Sequence, residues 1–404
     1  MKAFLQTLCI AFAGSCFYVH GAEYPPAIRP YAEFVEQCST SPVDYVMGLF
    51  ERYDVVILSE RHHAEITQYD FINQLIADPR FAEQVGHVMT ESGSYHLNER
   101  LNHILGSIYR DDSAAREQVL ALIRDMYFRP LHTETNFYSL LMGIYQTNKG
   151  LDSSRKVKLY MTDVSFDWSE TAGMTHEQYT AFYTRFMGSR DAVLAEHAVG
   201  ELYKIFSRRK MGMPGKALII LNTRHAYRYF PNKWHHDMAA QYIMDRFPGR
   251  VANVMLHDCL APSDHLSRDK PLHKGKWDAA FAACGNKAVG FDLAGTPFGA
   301  DPFESIIKIR GDVRWQDMFT GYIFYRPFSE WQLCVGIEGV VPDAFVGEYR
   351  RRLAIFLGKE PDEVQLQSTC EKLNRVRCSI PYSVLGKMHR QIARHLQTEA
   401  ERKE

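Results

Sequence analysis

Val55-Val56-Ile57-Leu58-Ser59-Glu60-Arg61-His62-His63 sets four apolar residues, three of them β-branched, directly against a cluster of ionisable side chains. A short, continuous apolar run of this kind is the pattern of a strand buried on both faces of a parallel sheet. Open α/β sheets bind their ligands just beyond the carboxyl ends of such strands. Outward from this stretch the same form recurs. His87-Val88-Met89 leads into Thr90-Glu91-Ser92, residues 157–161 into Thr162-Asp163, and residues 217–221 into Asn222-Thr223-Arg224-His225. Residues 251–256 and 288–291 read as two further strands. Between the strands lie amphipathic stretches. Residues 66–76 place Ile66, Tyr69, Ile72, Asn73 and Ile76 at helical spacing. Residues 118–129 do so with Val119, Leu122, Ile123 and Met126, and residues 190–206 follow the same pattern. The alternation predicts an α/β fold, a central and mostly parallel sheet flanked by helices.

Two regions depart from simple alternation. Residues 95–150 carry two or three helices and no strand, which predicts a helical cap. Residues 311–345 hold aromatic segments, Thr320-Gly321-Tyr322-Ile323-Phe324-Tyr325 among them, that read as an added hairpin or edge strand. They open a C-terminal extension over 311–404 that turns helical after Pro342 and ends in a polar tail, 398–404. With no linker or repeat in between, residues 23–404 read as a single elaborated domain.

The N-terminus predicts the compartment. Lys2, a short apolar stretch over 3–19 and small residues up to Gly21-Ala22 form the pattern of a secretory signal peptide over 1–22. The expected location is periplasmic or extracellular. Ala13-Gly14-Ser15-Cys16 also reads as a lipobox, and lipidation at Cys16 would anchor the protein at the cell envelope; a membrane partner is expected only in that case. Hydrophobic residues are 46%, charged residues 24%, and the formal net charge is -1. That balance gives nucleic acid no electrostatic footing. Of eight cysteines, Cys9 and Cys16 lie in the leader. Among the other six, Cys370 with Cys378 and Cys259 with Cys284 are nearest in sequence, and none forms a C-x-x-C knuckle. Disulfides and buried thiols are both open readings.

Four successive strand ends deliver Glu60, His62 or His63, Glu91, Asp163 and His225 towards one edge of the sheet. Adjacent side chains diverge, so one of His62 and His63 is expected to enter the site. Asp163 also reads as a helix cap. His235 and His236 read as surface or supporting residues.

These residues carry a family resemblance. "VVILSERHH" resembles the Gly-Glu-x-x-His motif of erythromycin esterases, through His63, and the Gly-Glu-x-His form of ChaN-like proteins, through His62. "HVMTE" resembles the second strand with its glutamate, and "LDSSRKVKLYMTDVSFDW" the third with its aspartate. "SRDAVLAEHAVGEL" is similar to a helix written Arg-Asp-x-x-Met-Ala-Glu-Asn, and "ALIILNTRHAYR" to the strand ending in the last histidine. The set spans about residues 50 to 260. Ser59 departs from the usual Gly, Leu194 from Met and His197 from Asn.

The resemblance implies a hydrolase acting on a small-molecule or peptide substrate, with Glu60, His63, Glu91, His225 and Arg190 catalytic. His62, Asp163 and Glu196 would bind substrate or support the site. His63 would act as general base, oriented by Glu60 or Glu91, with His225 and Arg190 as acid or oxyanion partners. The chain has no Gly-x-Ser-x-Gly elbow for a serine nucleophile. The same resemblance leaves two other readings open: a divalent metal held as in Tiki/TraB-type proteases, or haem bound through His62 or His63 as in ChaN-like proteins. No cofactor is assured by the residues themselves.

Overall fold

The computed structural model describes residues 24–209, 212–229, 238–260, 270–305, 311–379 and 382–397. The expected signal peptide, Cys16, His235, His236 and the tail 398–404 lie outside the described residues.

The described residues form eleven strands: β1 (Val55–Glu60), β2 (His87–Ser94), β3 (Lys158–Asp163), β4 (Ala217–Asn222), β5 (Val251–Leu256), β6 (Cys259–Leu260), β7 (Lys270–Pro271), β8 (Val289–Asp292), β9 (Gly321–Phe324), β10 (Leu333–Val335) and β11 (Arg377–Ser379). Seven form the central sheet in the order β3-β2-β4-β1-β5-β9-β8. Neighbours run parallel except β8 against β9. The protein is therefore an α/β fold with a mostly parallel sheet.

The buried runs in the sequence explain the layering. Side chains alternate across a strand. In β1, Val56 and Leu58 enter one core while Val55 and Ile57 enter the other; in β4, Leu218 and Ile220 divide from Ala217, Ile219 and Leu221 in the same way. The first core is closed by α2 (Pro42–Arg52), α3 (Thr67–Ala77), α5 (Asn98–Gly106), α6 (Asp112–Asp125) and α7 (Thr135–Lys149). The second is closed in part by α1 (Arg29–Gln37) and α9 (Arg190–Arg209). The short α4 (Pro79–Gln84) follows α3, and α8 (His176–Met187) precedes α9. Residues 95–149 contain α5, α6 and α7, with no strand among them.

Some boundaries differ from those expected. The helix read over 118–129 is α6, which starts earlier because the Asp111 side chain accepts the Ala114 N–H and caps it. The helix read over 190–206 runs on to Arg209. Ser59, which departs from the expected Gly, lies in β1, and its hydroxyl accepts the Leu256 N–H from β5 at 2.9 Å.

One expectation is corrected, and the open reading of the cysteines is answered. The aromatic run expected as an added hairpin or edge strand is β9, which lies inside the sheet between β5 and β8; all four of its residues are buried, and Tyr322 and Phe324 belong to the second core. The bridged cysteines are neither of the pairs nearest in sequence. Cys334 pairs with Cys378, 44 residues away, because β10 and β11 lie antiparallel with these two residues opposite each other.

Candidate active site

The register of the sheet brings the strand ends together. Glu60 pairs with Asn222 across β1 and β4, and Thr90 with Ile220 across β2 and β4. The ladder between β2 and β3 shifts register between Thr90 and Ser94. An irregularity of this kind re-aims side chains. Gly93 permits it, with φ at 97° and a place where an added Cβ would fall 2.2 Å from Met161 Sδ. Glu91 lies within β2 at this irregularity, its Oε2 accepting the backbone N–H of Asn222 at 2.9 Å.

Glu60 is 4% exposed and fully engaged. Its Oε1 accepts from Tyr69 Oη at 2.8 Å and from Asn136 Nδ2 at 3.0 Å, while Oε2 lies 2.8 Å from His63 Nδ1. On the other side of the ring, His63 Nε2 faces Glu91 Oε1 at 3.9 Å. Burial by itself would lower the imidazole pKa. The charge and hydrogen bond of Glu60 outweigh it, aided by Glu91 and Glu134, and push the ring up to about 10. With its side chain 45% exposed, the ring owes this shift to the neighbouring carboxylates, which favour its protonated form.

Arg190, at the first turn of α9, ties the remaining residues together. It donates to Asp163 Oδ2 at 3.0 Å and to the Glu91 carbonyl at 3.2 Å, and lies 3.8 Å from Glu91 Oε1. Its Nη1 is 3.4 Å from His225 Nε2, and His225 Nδ1 is 2.6 Å from Asp191 Oδ1. Burial works to raise the Glu91 pKa, but His225, Arg190 and His63 hold it below the ordinary range. For Asp163 burial prevails over Arg190, and its pKa is raised.

These groups border a cavity of about 470 Å³, whose walls include His62, His63, Glu91, Tyr127, Phe128, His132, Glu134, Met187 and Arg190. Glu60 and His225 stand behind that wall and reach it through His63 and Arg190. Both adjacent histidines border the cavity, contrary to the expected divergence. The chain turns at residues 62–64 instead of staying extended, so neighbouring rings can share one side. They differ in bonding: His62 Nδ1 accepts the Ala64 N–H at 3.1 Å, and only His63 meets Glu60.

Glu196 does not support the site. On α9 the buried face is formed by Leu194, Ala195 and Ala198, and Glu196 is exposed. Asp163 caps no helix; it is the carboxylate partner of Arg190. Five contributors went unread in the sequence: Tyr69, Asn136, His132, Glu134 and Asp191. Asp191 was legible, standing beside Arg190 in the quoted "SRD". His132 and Glu134 lie in an irregular stretch between α6 and α7, where periodicity carries no signal.

Donor atoms of Glu60, His63 and Glu91 all lie within 4.8 Å of one another, a spacing that could hold a metal ion. Both Glu60 oxygens and His63 Nδ1 are already bonded within the protein, however. His63 Nε2 and Glu91 Oε1, 3.9 Å apart, are not bonded to each other.

No family model matches the chain, and no curated protein matches it either. Solved structures do. The chain is similar to a succinoglycan biosynthesis protein (10% identity, TM-score 0.46, covering 70% of this chain and 90% of that one). It is similar to a Bacillus cereus protein (9% identity, TM-score 0.42, covering 74% and 97%). The solved structures it is similar to also include erythromycin esterase EreC, a mutant in its open conformation (11% identity, TM-score 0.42, covering 74% and 96%).

Proposed function

We propose that this protein is an exported hydrolase that cleaves an ester, lactone or amide with water inside the cavity bordered by His63 and Glu91. One observation carries the reading: His63 is clamped between two buried carboxylates, with the Arg190 guanidinium behind the second. Acyl hydrolysis needs positive charge where the carbonyl oxygen becomes an oxyanion, and a proton for the departing oxygen or nitrogen. Arg190 is a permanent cation at the cavity wall. His63 holds its Nδ1 proton against Glu60, so Nε2 is the atom that donates to the leaving group. Glu91, 3.9 Å from Nε2, favours the protonated ring through its charge. The ordered motifs that resemble erythromycin esterases point the same way. Export fits the leader-like residues 1–22 and the Cys334–Cys378 disulfide, since such bridges persist in oxidising compartments.

The test is Glu91→Gln, which keeps the shape and removes the charge. Wild type and variant are assayed on panels of aryl and alkyl esters, lactones and peptides. Turnover in the variant is expected to fall by about 10²–10⁴-fold. Equal turnover by both proteins would refute the reading, and so would a wild type inactive on every class. Tight haem binding that survives Glu91→Gln would favour a carrier.

A further inference from the structure

The cavity holds a second imidazole–carboxylate pair, and its surroundings are opposite in character to those of His63. His132 Nδ1 lies 3.1 Å from Glu134 Oε2, and its side chain is 8% exposed. A carboxylate at Nδ1 selects the tautomer that carries its proton there, which leaves a bare lone pair on Nε2. That Nε2 is buried and has no hydrogen-bond partner among the described residues, although His132 and Glu134 both border the cavity. A buried acceptor left unmatched costs about 1–3 kcal/mol, so a native protein that keeps one invites a functional explanation. The ring is also held in orientation, with edge-on contacts to Tyr127 at 5.2 Å and Phe137 at 5.5 Å.

We infer that His132 is the catalytic base of this site, its Nε2 taking the proton of the attacking water while His63 supplies the proton of the leaving group. The inference rests on the hydrolase reading. In the first step a water O–H bond breaks to Nε2, the water oxygen bonds to the acyl carbon, and the carbonyl pair moves onto oxygen. In the second, the oxyanion reforms the carbonyl, the bond to the leaving oxygen breaks, and that oxygen takes the proton from His63 Nε2. The products are an acid and an alcohol. His132 then loses its proton to solvent and His63 regains one.

Electrostatics agree with these roles. Burial lowers the pKa of His132; Glu134 and Glu60 oppose that, while the His63 imidazolium and Arg129 reinforce it. The two rings are thus shifted in opposite directions, and environments that push two titrating groups apart mark a base and an acid. The loop carrying the pair is secured to β10. Glu134 bridges Val335, Gly336 N–H donates to the Thr133 carbonyl, and Thr135 Oγ1 donates to the Gly336 carbonyl.

The experiment uses the full mature chain, p-nitrophenyl and alkyl esters, and the variants His132→Gln, His132→Ala, Glu134→Gln and Glu91→Gln, each checked for folding by circular dichroism. In His132→Gln, kcat is expected to fall about 10²–10⁴-fold on both ester types. KM should be nearly unchanged and the acid limb of the pH–rate profile lost. Added imidazole should restore part of the activity of His132→Ala, which it would not do for a structural residue. Glu134→Gln should lower kcat with the fold intact, so the idea remains testable if His132 variants misfold. Activity retained in His132→Gln, with the acid limb in place and Glu91→Gln inactive, overturns the base and leaves the hydrolase standing. Wild-type activity in Glu91→Gln removes both. Independently of any substrate, nitrogen NMR of the histidines at pH 7 should find His132 neutral and His63 charged; a charged His132 overturns the assignment.

Discussion

Arg61 stands in the middle of the stretch that delivers the site, yet it turns away from the cavity, and replacing it should cost stability before activity. Its side chain is 1% exposed and its partner Glu65 is wholly buried. Arg61 Nη2 donates to Glu65 Oε2 at 2.5 Å and Nη1 to the His257 carbonyl at 3.0 Å, and the guanidinium lies 4.1 Å from the centre of the Trp331 ring. Arg61→Met keeps much of the volume but strands the Glu65 carboxylate. Breaking one side of a buried ion pair typically costs about 3–5 kcal/mol. Glu65 would not be bare, because the Thr67 and Gln68 N–H groups still donate to it, which argues for the lower end. The lost guanidinium–indole contact, about 2 kcal/mol when desolvated, pulls the other way. Together these give roughly 3–5 kcal/mol. Urea unfolding of Arg61→Met, Glu65→Gln and the double variant would measure it. The double variant should recover much of the loss, since no uncompensated charge stays buried. A loss under about 1 kcal/mol in the single variant, the level of an exposed pair, would refute the reasoning.

Two further predictions concern pH and redox state. A His63 pKa raised from 6.5 to about 10 means that the stability it contributes is complete below pH 6.5 and is lost as pH rises through about 10. The proton it donates is lost over the same range, so Glu60→Gln should draw the alkaline limb of the pH–rate profile down towards 6.5; an unmoved limb would show that another group sets it. The Cys334–Cys378 bridge closes a separation of 44 residues and, by loop entropy, is worth about 4 kcal/mol. Cys334 N–H also donates to the Ala64 carbonyl, and β10 carries Val335 at the cavity wall. The double Cys→Ser variant, or a thiol reductant, should therefore lower the unfolding midpoint and raise KM, whereas an unchanged KM would mean that β10 is held well enough without the bridge.

Much of the sheet and half of the site could be read from local pattern, because both depend on short-range rules. An apolar run of Val55-Val56-Ile57-Leu58 has to be buried on both faces, and the two cores that share its side chains show how. The ionisable residues after Leu58, Met89, Met161 and Leu221 must then emerge on one edge once the strands lie parallel. Glu60, Glu91, Asp163 and His225 were found on that argument, and it needed no knowledge of how the strands are ordered.

Tertiary structure decided whatever depends on which distant segments meet. β9 lies inside the sheet because β5 and β8 leave a place beside them, something its own aromatic run could not announce. Cys334 found Cys378 rather than a nearer cysteine because strand pairing, not sequence distance, sets which sulfurs approach. The raised pKa of His63 comes from carboxylates on different strands, and His132 reaches the same cavity from a loop with no period to betray it. Apolar periodicity records how each segment is buried; which acid faces which imidazole is set only when residues far apart along the chain are packed together.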